Sequence, residues 1–549
     1  MSNQNAKESF VKGTLILAGA ALIARVLGLF QRVPLEHILG SVGNAAYSQA
    51  NAAYFMLLTL ATAGIPSTLS KMVSERHALN RPEEARRVYQ AALIFAAAAG
   101  VIMFVMLYLL APYYAQKSEV PESVVAIRAL APALLIFPLI AMIRGYLQGR
   151  NIMIAGGVSQ VIEQIVRVVT GIVLAFLFFH WGYSEQNIAA GATFGAVIGG
   201  VAALFVMLYY SMRVKRNDRN SAAVNGSHVP EKRLSLSRIY ADIFKLSIPI
   251  VLTALAVPAV NFIDNSILKP LLSGQLGSHE ATNILGILGT RAQMIAGIPP
   301  ILAIALSQSL VPIISAAFAR GDSQHLQRQV TLAMRISVLT GAPIILALGT
   351  AAYSVNGLLF STREGSGIVG LLTVMTIFQI TMMTSNSILL GINKANRSMV
   401  YVGIGIAVKL ATSYVFSQMW GIYGIIISTG LCFFVITVLN IRVMKQIVPF
   451  SMMGTRWVGF LATCAVLAGT GYGLNQAANN VLLPLMPGRV AFFITCAIVG
   501  IAVVGLYPIL LILLRVVRKD ELSGYPAPLR KVLTPLMRLQ RSGQSGVAK

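Results

Sequence analysis

Residues 154–180, IAGGVSQVIEQIVRVVTGIVLAFLFFH, form an apolar stretch long enough to cross a membrane as a single helix. Crossing roughly 30 Å of hydrocarbon takes about 20 residues at 1.5 Å each. Within the stretch, Ser159, Glu163 and Arg167 recur every four residues and therefore share one helical face. Because charged side chains are costly in lipid, this face is predicted to turn away from the bilayer.

The rest of the chain has the same membrane character. It has 549 residues, of which 56% are hydrophobic and 11% charged, with a mean hydropathy of +0.74. The net charge of +25 comes from bases placed between apolar runs, not from one patch with interleaved aromatics, so no nucleic-acid partner is expected. Cys432, Cys464 and Cys496 lie in apolar stretches, and no Walker A, HExxH, GxSxG or DxD motif occurs. We therefore expect a transporter with no catalytic residues, no metal site and no cofactor.

The predicted fold is an all-α integral membrane protein with about fourteen transmembrane helices. The expected division is an N-terminal lobe of six helices (1–212), a basic cytoplasmic linker (213–237), a C-terminal lobe of six helices (238–447), two further helices (448–516), and a basic cytoplasmic tail (517–549). Within the tail, residues 525–541 alternate apolar and basic side chains, which predicts a short helix on the inner membrane surface.

Basic residues occupy alternate loops, which predicts the orientation in the membrane. The bases that we place in the cytoplasm are Arg76, Arg81, Arg86, Arg87, Arg144, Arg150, Arg213, Lys215, Arg216, Arg219, Arg320, Arg328, Lys394, Arg397, Arg442 and Lys445. The intervening loops hold isolated bases such as Arg32 and Arg363. Both termini are therefore predicted to be cytoplasmic.

An internal repeat relates the two predicted lobes. At an offset of 242 residues, 66–92 aligns with 308–334 and LQGRN (147–151) aligns with LLGIN (389–393). Since six helices per lobe is an even number, the lobes should share one orientation, related by a pseudo-two-fold axis along the membrane normal. That arrangement predicts a central cavity and alternating access.

Ionisable residues within the predicted spans are the candidate functional groups. Arg25, Arg167, Arg291 and Lys409 outnumber Glu163 and Asp264, which favours an anionic ligand. Arg25 either faces a cavity or extends to the outer interface. Glu163 and Arg167, at the i, i+4 spacing, form either a structural ion pair or part of a functional site. Asn261 and Asp264 follow Pro249 and Pro258 in a helix predicted to be discontinuous, so Asp264 is either an ion-coupling site or a solvated helix end.

Several strings resemble one transporter family. They are FVKGTLILAGAALIARVLGLFQRVPL (10–35), GIPSTLSKMVSE (64–75), RGYLQGRNIM (144–153), SQVIEQIVRV (159–168), NFIDNS (261–266) and LLGINKANRSM (389–399). In this order they look like the YtgP and stage V sporulation protein B branch of polysaccharide transporters. That branch is grouped with MurJ-type lipid II flippases in the superfamily that also contains multidrug and toxin extruders.

The resemblance implies two lobes around a cationic cavity and transport of an undecaprenyl-diphosphate-linked sugar. Arg25, Arg144, Glu163 and Arg167 match family motif positions. Two departures occur: Met294 stands where MurJ-like relatives carry a base, with Arg291 one turn away, and the second helix offers Gln49 and its neighbours where better-known relatives place an arginine.

The predicted function is therefore flipping of lipid II or a related lipid-linked oligosaccharide from the inner to the outer leaflet of the bacterial plasma membrane. The predicted substrate-binding residues are Arg25, Arg144, Arg167, Arg291, Gln49 and Asn261, and the predicted coupling residues are Asp264 and Glu163. Coupling to the membrane potential, Na⁺ or H⁺ is left open, and a monomer is expected. Multidrug efflux by the same fold and a membrane glycosyltransferase are the alternatives.

Overall fold

The computed structural model describes residues 2–79, 81–225 and 235–517, together with residues 530, 534 and 535. Within these ranges, the side chains of 2–18, 217, 219–225, 302–310 and 312 are not described. The tail helix predicted at 525–541 therefore lies outside the described residues, apart from three isolated positions. In the described ranges the secondary structure is helical, without a strand.

Contacts divide the chain into two compact units. The first comprises Met1–Thr290 and Ser417–Ile425, and the second comprises Arg291–Phe416 and Ile426–Lys549. Because this division reflects contact density and not membrane topology, the lobe boundary at 213–237 stays a prediction.

The helices of the first unit follow one another with short connections. They are α1 (Ser2–Thr62), α2 (Ile65–Ala78), α3 (Pro82–Lys117), α4 (Ser123–Leu130), α5 (Ala133–Gly149), α6 (Met153–His180), α7 (Glu185–Asn225), α8 (Leu236–Ala254), α9 (Ala256–Leu276) and α10 (Ser278–Gly286). A π-helical turn, Ile287–Ala292, ends this series.

The remaining helices lie in the second unit, apart from the stretch Ser417–Ile425 within α16. They are α11 (Gln293–Ala296), α12 (Pro300–Ala319), α13 (Ser323–Thr350), α14 (Ala352–Phe360), α15 (Ser366–Gly391), α16 (Ala395–Ile447), α17 (Trp457–Leu482) and α18 (Gly488–Leu513).

The membrane-spanning, all-α class predicted from the sequence is confirmed. In the part of the chain that the structure describes, ten helices are long and apolar enough to cross a membrane, or eleven if the bent pair α8–α9 is one span. Two of them, α1 and α16, contain 61 and 53 residues and are bent at Gly40 (φ 68°) and Gly421 (φ 55°). Each is about 80 to 90 Å long at 1.5 Å per residue, well over one bilayer. The count of fourteen is not confirmed.

The predicted discontinuous helix is broken where α8 meets α9. The two helices bend by 49° at Leu255. Pro258 lies in the first turn of α9, where its missing N–H removes no helical hydrogen bond, whereas Pro249 lies inside α8. The break therefore falls three residues before the proline that predicts it.

A glycine seam holds α6 against α7. Gly195 and Gly199 of α7 lie so close to α6 that a Cβ on Gly195 would be 2.6 Å from Gly171 Cα, and one on Gly199 would be 2.7 Å from the Glu163 carbonyl oxygen. Small residues at this spacing let helix backbones approach closely in membranes. The seam fixes the backbone that carries Glu163 and Arg167.

Candidate functional site

The polar face of α6 meets an arginine from α5. Arg144 Nη2 lies 2.7 Å from Glu163 Oε2 and 2.8 Å from Ser159 Oγ. The side chains of Arg144 and Glu163 are 16% and 14% exposed, so water screens this ion pair only partly. Gly145, next to Arg144, lets α5 approach α2, because a Cβ there would lie 2.6 Å from the Pro66 carbonyl oxygen.

This pairing corrects one reading of the sequence. The i, i+4 spacing predicts an ion pair between Glu163 and Arg167, but the carboxylate of Glu163 bonds to Arg144 instead. A pair within one helix would leave Arg144 without its anion, whereas the cross-helix pair ties α5 to α6. Among the described residues, Arg167 has no carboxylate within salt-bridge distance.

Arg167 instead faces α1. Its Nη2 lies 3.4 Å from Asn51 Oδ1, and its guanidinium carbon lies 5.7 Å from the centre of the Phe55 ring. The amide contact is long and the ring contact is a cation–π interaction, so neither neutralises the charge. The guanidinium is partly buried and keeps its positive charge available for an anion.

Arg32 is a second positive group near Arg167, and sequence reasoning missed it. Arg32 Nη1 donates to the carbonyl oxygens of Gly289 and Thr290, at 3.1 and 3.4 Å. Gln31, next to Arg32, approaches α6 one turn after Arg167, because a Cβ on Gly171 would lie 2.7 Å from Gln31 Nε2. The sequence predicts Arg32 in an outer loop because the apolar run ends at residue 31, and the loop part of this prediction is wrong, since α1 stays helical up to Gly40. The sequence does contain a signal for the longer helix, because no glycine that could end it lies between Gly28 and Gly40.

The acceptors of Arg32 belong to a π-helical turn. Such turns leave carbonyl groups outside the regular α-helical pattern and are frequent at functional sites. Only glycine fits at position 289 of this turn, because a Cβ there would lie 1.5 Å from Ser48 Oγ. Ser48 in turn donates to Asn265 Oδ1 at 2.7 Å, which ties α1 to α9.

The other site residues predicted in the first unit are Arg25, Gln49, Asn261 and Asp264. Arg25 is exposed on α1, two turns before Arg32, and makes no hydrogen bond or ion pair with another described residue. Gln49 is fully buried and donates to Ser118 Oγ. Asn261 is partly buried, and its carbonyl oxygen accepts a bond from Asn265 at 2.8 Å. Asp264 is 5% exposed on α9.

Arg291 and Lys409 belong to the second unit. Arg291 lies in the π-helical turn, donates from Nη1 to the Glu364 carbonyl oxygen at 3.4 Å, and lies 6.0 Å from the Phe360 ring centre. Lys409 is fully buried on α16.

The charges at the polar face of α6 therefore favour an anion. Arg144 and Arg167 lie at this face with Glu163, whose carboxylate is already bonded to Arg144, and Arg32 lies near Arg167. Arginine presents a planar fork of donors that matches phosphate oxygens. No group of three or more His, Cys, Asp or Glu side chains within the described ranges could hold a metal ion.

Comparisons with known proteins extend over most of the chain. The lipid II flippase MurJ of Bacillus subtilis (strain 168) is 28% identical over 439 residues, which cover 77% of this chain and 80% of the flippase. Stage V sporulation protein B of the same organism is 24% identical over 544 residues, covering 95% of this chain and 98% of that protein.

Solved structures share the fold. A lipid II flippase MurJ in its inward closed conformation gives a TM-score of 0.64 at 14% identity, over 90% of this chain and 98% of that one. An inward-facing multidrug resistance MATE transporter of the MOP superfamily gives 0.62 at 15% identity, over 77% and 94%. These likenesses, with the two Bacillus relatives, confirm the family resemblance seen in the motifs. The profile of the polysaccharide biosynthesis protein family matches residues 10–318, more than half of the sequence, and the chain therefore belongs to that family.

Proposed function

We propose that this chain flips an undecaprenyl-diphosphate-linked sugar precursor, lipid II or a related lipid-linked oligosaccharide, from the inner to the outer leaflet. The proposal rests on the positive charge of the group formed by Arg32, Arg144, Glu163 and Arg167, which we call the Arg167 region. Arg167 and Arg32 are partly buried on the packed helices α6 and α1, and neither forms an ion pair with a carboxylate among the described residues. A diphosphate supplies the missing negative charge.

An energetic argument supports an anionic ligand. Each arginine held at membrane depth costs at least about 2.5 to 3.5 kcal/mol on insertion scales. Two adjacent like charges add repulsion to that cost. A bound diphosphate removes both penalties, because each guanidinium fork can donate two parallel hydrogen bonds to phosphate oxygens.

The predicted residues take distinct roles in this proposal. Arg167 and Arg32 bind the diphosphate, while Arg144 and Glu163 fix the face of α6 that presents Arg167. Arg25, exposed two turns away on α1, meets the phosphates as they approach. Gln49 and Asn261 are assigned to the sugar or to phosphate in other steps of the cycle, whereas Arg291, which donates to the Glu364 carbonyl oxygen in the second unit, is not assigned to the substrate.

The mechanism that we infer is alternating access by rocking of two lobes. The headgroup crosses within the protein while the polyprenyl tail stays in lipid. Direction comes from the membrane potential, worth about 2.3 kcal/mol per charge per 100 mV, or from Na⁺ or H⁺ bound at Asp264 or Glu163. No ATP hydrolysis at this chain is required. We also propose that both termini are cytoplasmic and that the chain acts as a monomer.

Two alternative functions need a different site. Efflux of cationic drugs or toxins favours a cavity lined by carboxylates and aromatic rings, whereas the Arg167 region carries three arginines and one glutamate. A membrane glycosyltransferase needs carboxylates for a metal-bound sugar nucleotide. The charge of the site favours the flippase proposal over both.

Depletion of the protein in its source organism, followed by leaflet-specific labelling of lipid-linked precursors, tests the proposal. Wild-type protein and Arg128→Ala, which removes a partly buried arginine stacked on Tyr108, should restore labelled precursor in the outer leaflet. Arg167→Ala and Arg32→Ala should leave the precursor in the inner leaflet. Full rescue by both of the latter variants would reject the site, and unchanged labelling after depletion would reject the substrate class.

A further inference from the structure

Three arginines of the second unit converge on the loop between α14 and α15. Arg489, at the start of α18, donates to Ser361 Oγ from Nε at 3.0 Å and from Nη2 at 2.6 Å. Arg291 donates to the carbonyl oxygen of Glu364 in the same loop. The third, Arg363, belongs to the loop itself. We call Arg291, Arg363 and Arg489 the arginine patch.

Arg363 is held by aromatic rings instead of by an anion. Its guanidinium carbon lies 5.4 Å from the ring centre of Tyr353 and 5.7 Å from that of Phe492. Among the described residues, its exposed side chain makes no hydrogen bond and no ion pair. Stacking of this kind orients the planar fork and leaves its N–H donors available.

The backbone of the loop is fixed around the patch. Ser361 and Gly365 adopt left-handed conformations, with φ of 56° and 74°. Helix α14 packs closely on α18, because a Cβ on Gly357 would lie 2.5 Å from the Phe492 ring. Glu364 is the one acidic residue between 352 and 366, against three arginines. The patch is therefore preformed and net positive.

Lipid-facing surface begins directly beside the patch. Leu485, Val490, Phe493 and Ile501, which flank or follow Arg489, are 73%, 48%, 61% and 76% exposed. Exposed apolar side chains along a transmembrane helix face hydrocarbon, and arginines with aromatic rings at the helix end lie at headgroup depth. The patch thus meets the bilayer at the level of lipid phosphates.

We propose that the arginine patch binds the phosphate of an anionic phospholipid whose acyl chains lie along α18. The charge complements the headgroup, and the apolar surface of α18 complements the chains. Arg363 and Arg489 contribute the exposed guanidinium groups that contact the phosphate. None of these three arginines is assigned to the transported substrate, so the proposal does not depend on the identity of the transported lipid.

Native mass spectrometry of the purified full-length chain in detergent tests the site. Phosphatidylglycerol, phosphatidylcholine and inorganic phosphate are titrated separately. The test variant combines Arg363→Gln with Arg489→Gln, and the matched control combines Arg320→Gln with Arg397→Gln, two exposed bases of the same unit away from the loop. Wild type and control should bind phosphatidylglycerol equally, and the affinity of the test variant should be lower by about tenfold or more.

Three outcomes would overturn the proposal. The first is equal phosphatidylglycerol binding by the test variant, and the second is equal loss in the control, which would indicate a general charge effect. The third is that inorganic phosphate alone competes at the same concentration as the lipid, which would indicate a free-anion site. Should the glutamine variant aggregate, Arg363→Lys with Arg489→Lys keeps both charges but loses the fork. Weaker binding then supports the site, and wild-type binding rejects it.

Discussion

Arg144 of α5 and Glu163 of α6 form an ion pair, with 2.7 Å between Nη2 and Oε2. Because Glu163 is bonded to Arg144, its carboxylate does not pair with Arg167, four residues later on the same helix. Arg167 turns to the Asn51 amide and the Phe55 ring instead. One cross-helix bond therefore has two effects. It ties α5 to α6, and it leaves a partly buried positive charge beside Arg32.

Replacing Glu163 with glutamine should destabilise the protein. Glu163→Gln leaves the partly buried Arg144 without its anion, which we expect to lower the free energy of unfolding by about 1 to 3 kcal/mol. Thermal unfolding in detergent measures the change. The control is Asp218→Asn, which breaks an ion pair with Arg150 whose carboxylate side is 48% exposed and should cost no more than about 1 kcal/mol. Equal losses in the two variants would show that the Arg144–Glu163 pair has no special structural role.

Binding at the Arg167 region should depend on the stacking of Arg167 on Phe55. Phe55→Leu keeps apolar bulk but removes a cation–π contact worth about 0.5 to 2 kcal/mol, so undecaprenyl diphosphate should bind roughly two- to thirtyfold more weakly. Fluorescence or calorimetric titration of the purified protein measures the affinity. Phe205→Leu, which alters an exposed ring on α7, serves as the control and should bind like wild type. An unchanged affinity in Phe55→Leu would mean that the ring does not orient Arg167.

The glycine seam should not tolerate one methyl group. Gly195→Ala places a Cβ 2.6 Å from Gly171 Cα, so the helices must separate, at a cost of about 1 to 3 kcal/mol. Because the seam carries the backbone of Arg167, flipping should fall as well. Gly469→Ala on α17, where a Cβ meets nothing within 4 Å, is the control and should be neutral or slightly stabilising. Wild-type melting temperature and activity in Gly195→Ala would contradict the close approach.

Asp264 is one of the two residues at which we propose ion coupling. Asp264→Asn removes a buried carboxyl group on α9 while keeping its shape, so flipping in proteoliposomes should lose its dependence on a Na⁺ or pH gradient. Asp242→Asn, an exposed carboxylate of α8, should keep that dependence. If Asp264→Asn still responds to the gradient like wild type, the coupling ion binds elsewhere or the membrane potential alone supplies direction.

Sequence patterns predicted the class of fold and the residues on the face of α6, but not their partners. The spacing of Ser159, Glu163 and Arg167 places them on one face whatever the tertiary structure, because helical periodicity is local. Which neighbour meets that face depends on how α5 and α1 pack. The sequence therefore offered Arg167 as the partner of Glu163, where the fold supplies Arg144.

A helix boundary accounts for the other error. Hydropathy ends the first span at residue 31 and so predicts a loop at Arg32, whereas backbone hydrogen bonding continues the helix to Gly40. The count of fourteen spans stays a prediction, because single long helices run through the bends at Gly40 and Gly421. Hydropathy reports how apolar a segment is and not where its backbone stops being helical.

The glycine seam limits how this molecule can move. With no layer of side chains between α6 and α7, the two backbones interlock and cannot slide past each other without a collision. They must therefore move as one rigid body, so that Arg167 of α6 keeps its position relative to α7 throughout a transport cycle. Flexing has to be absorbed at joints such as Leu255, where the chain is already bent by 49°.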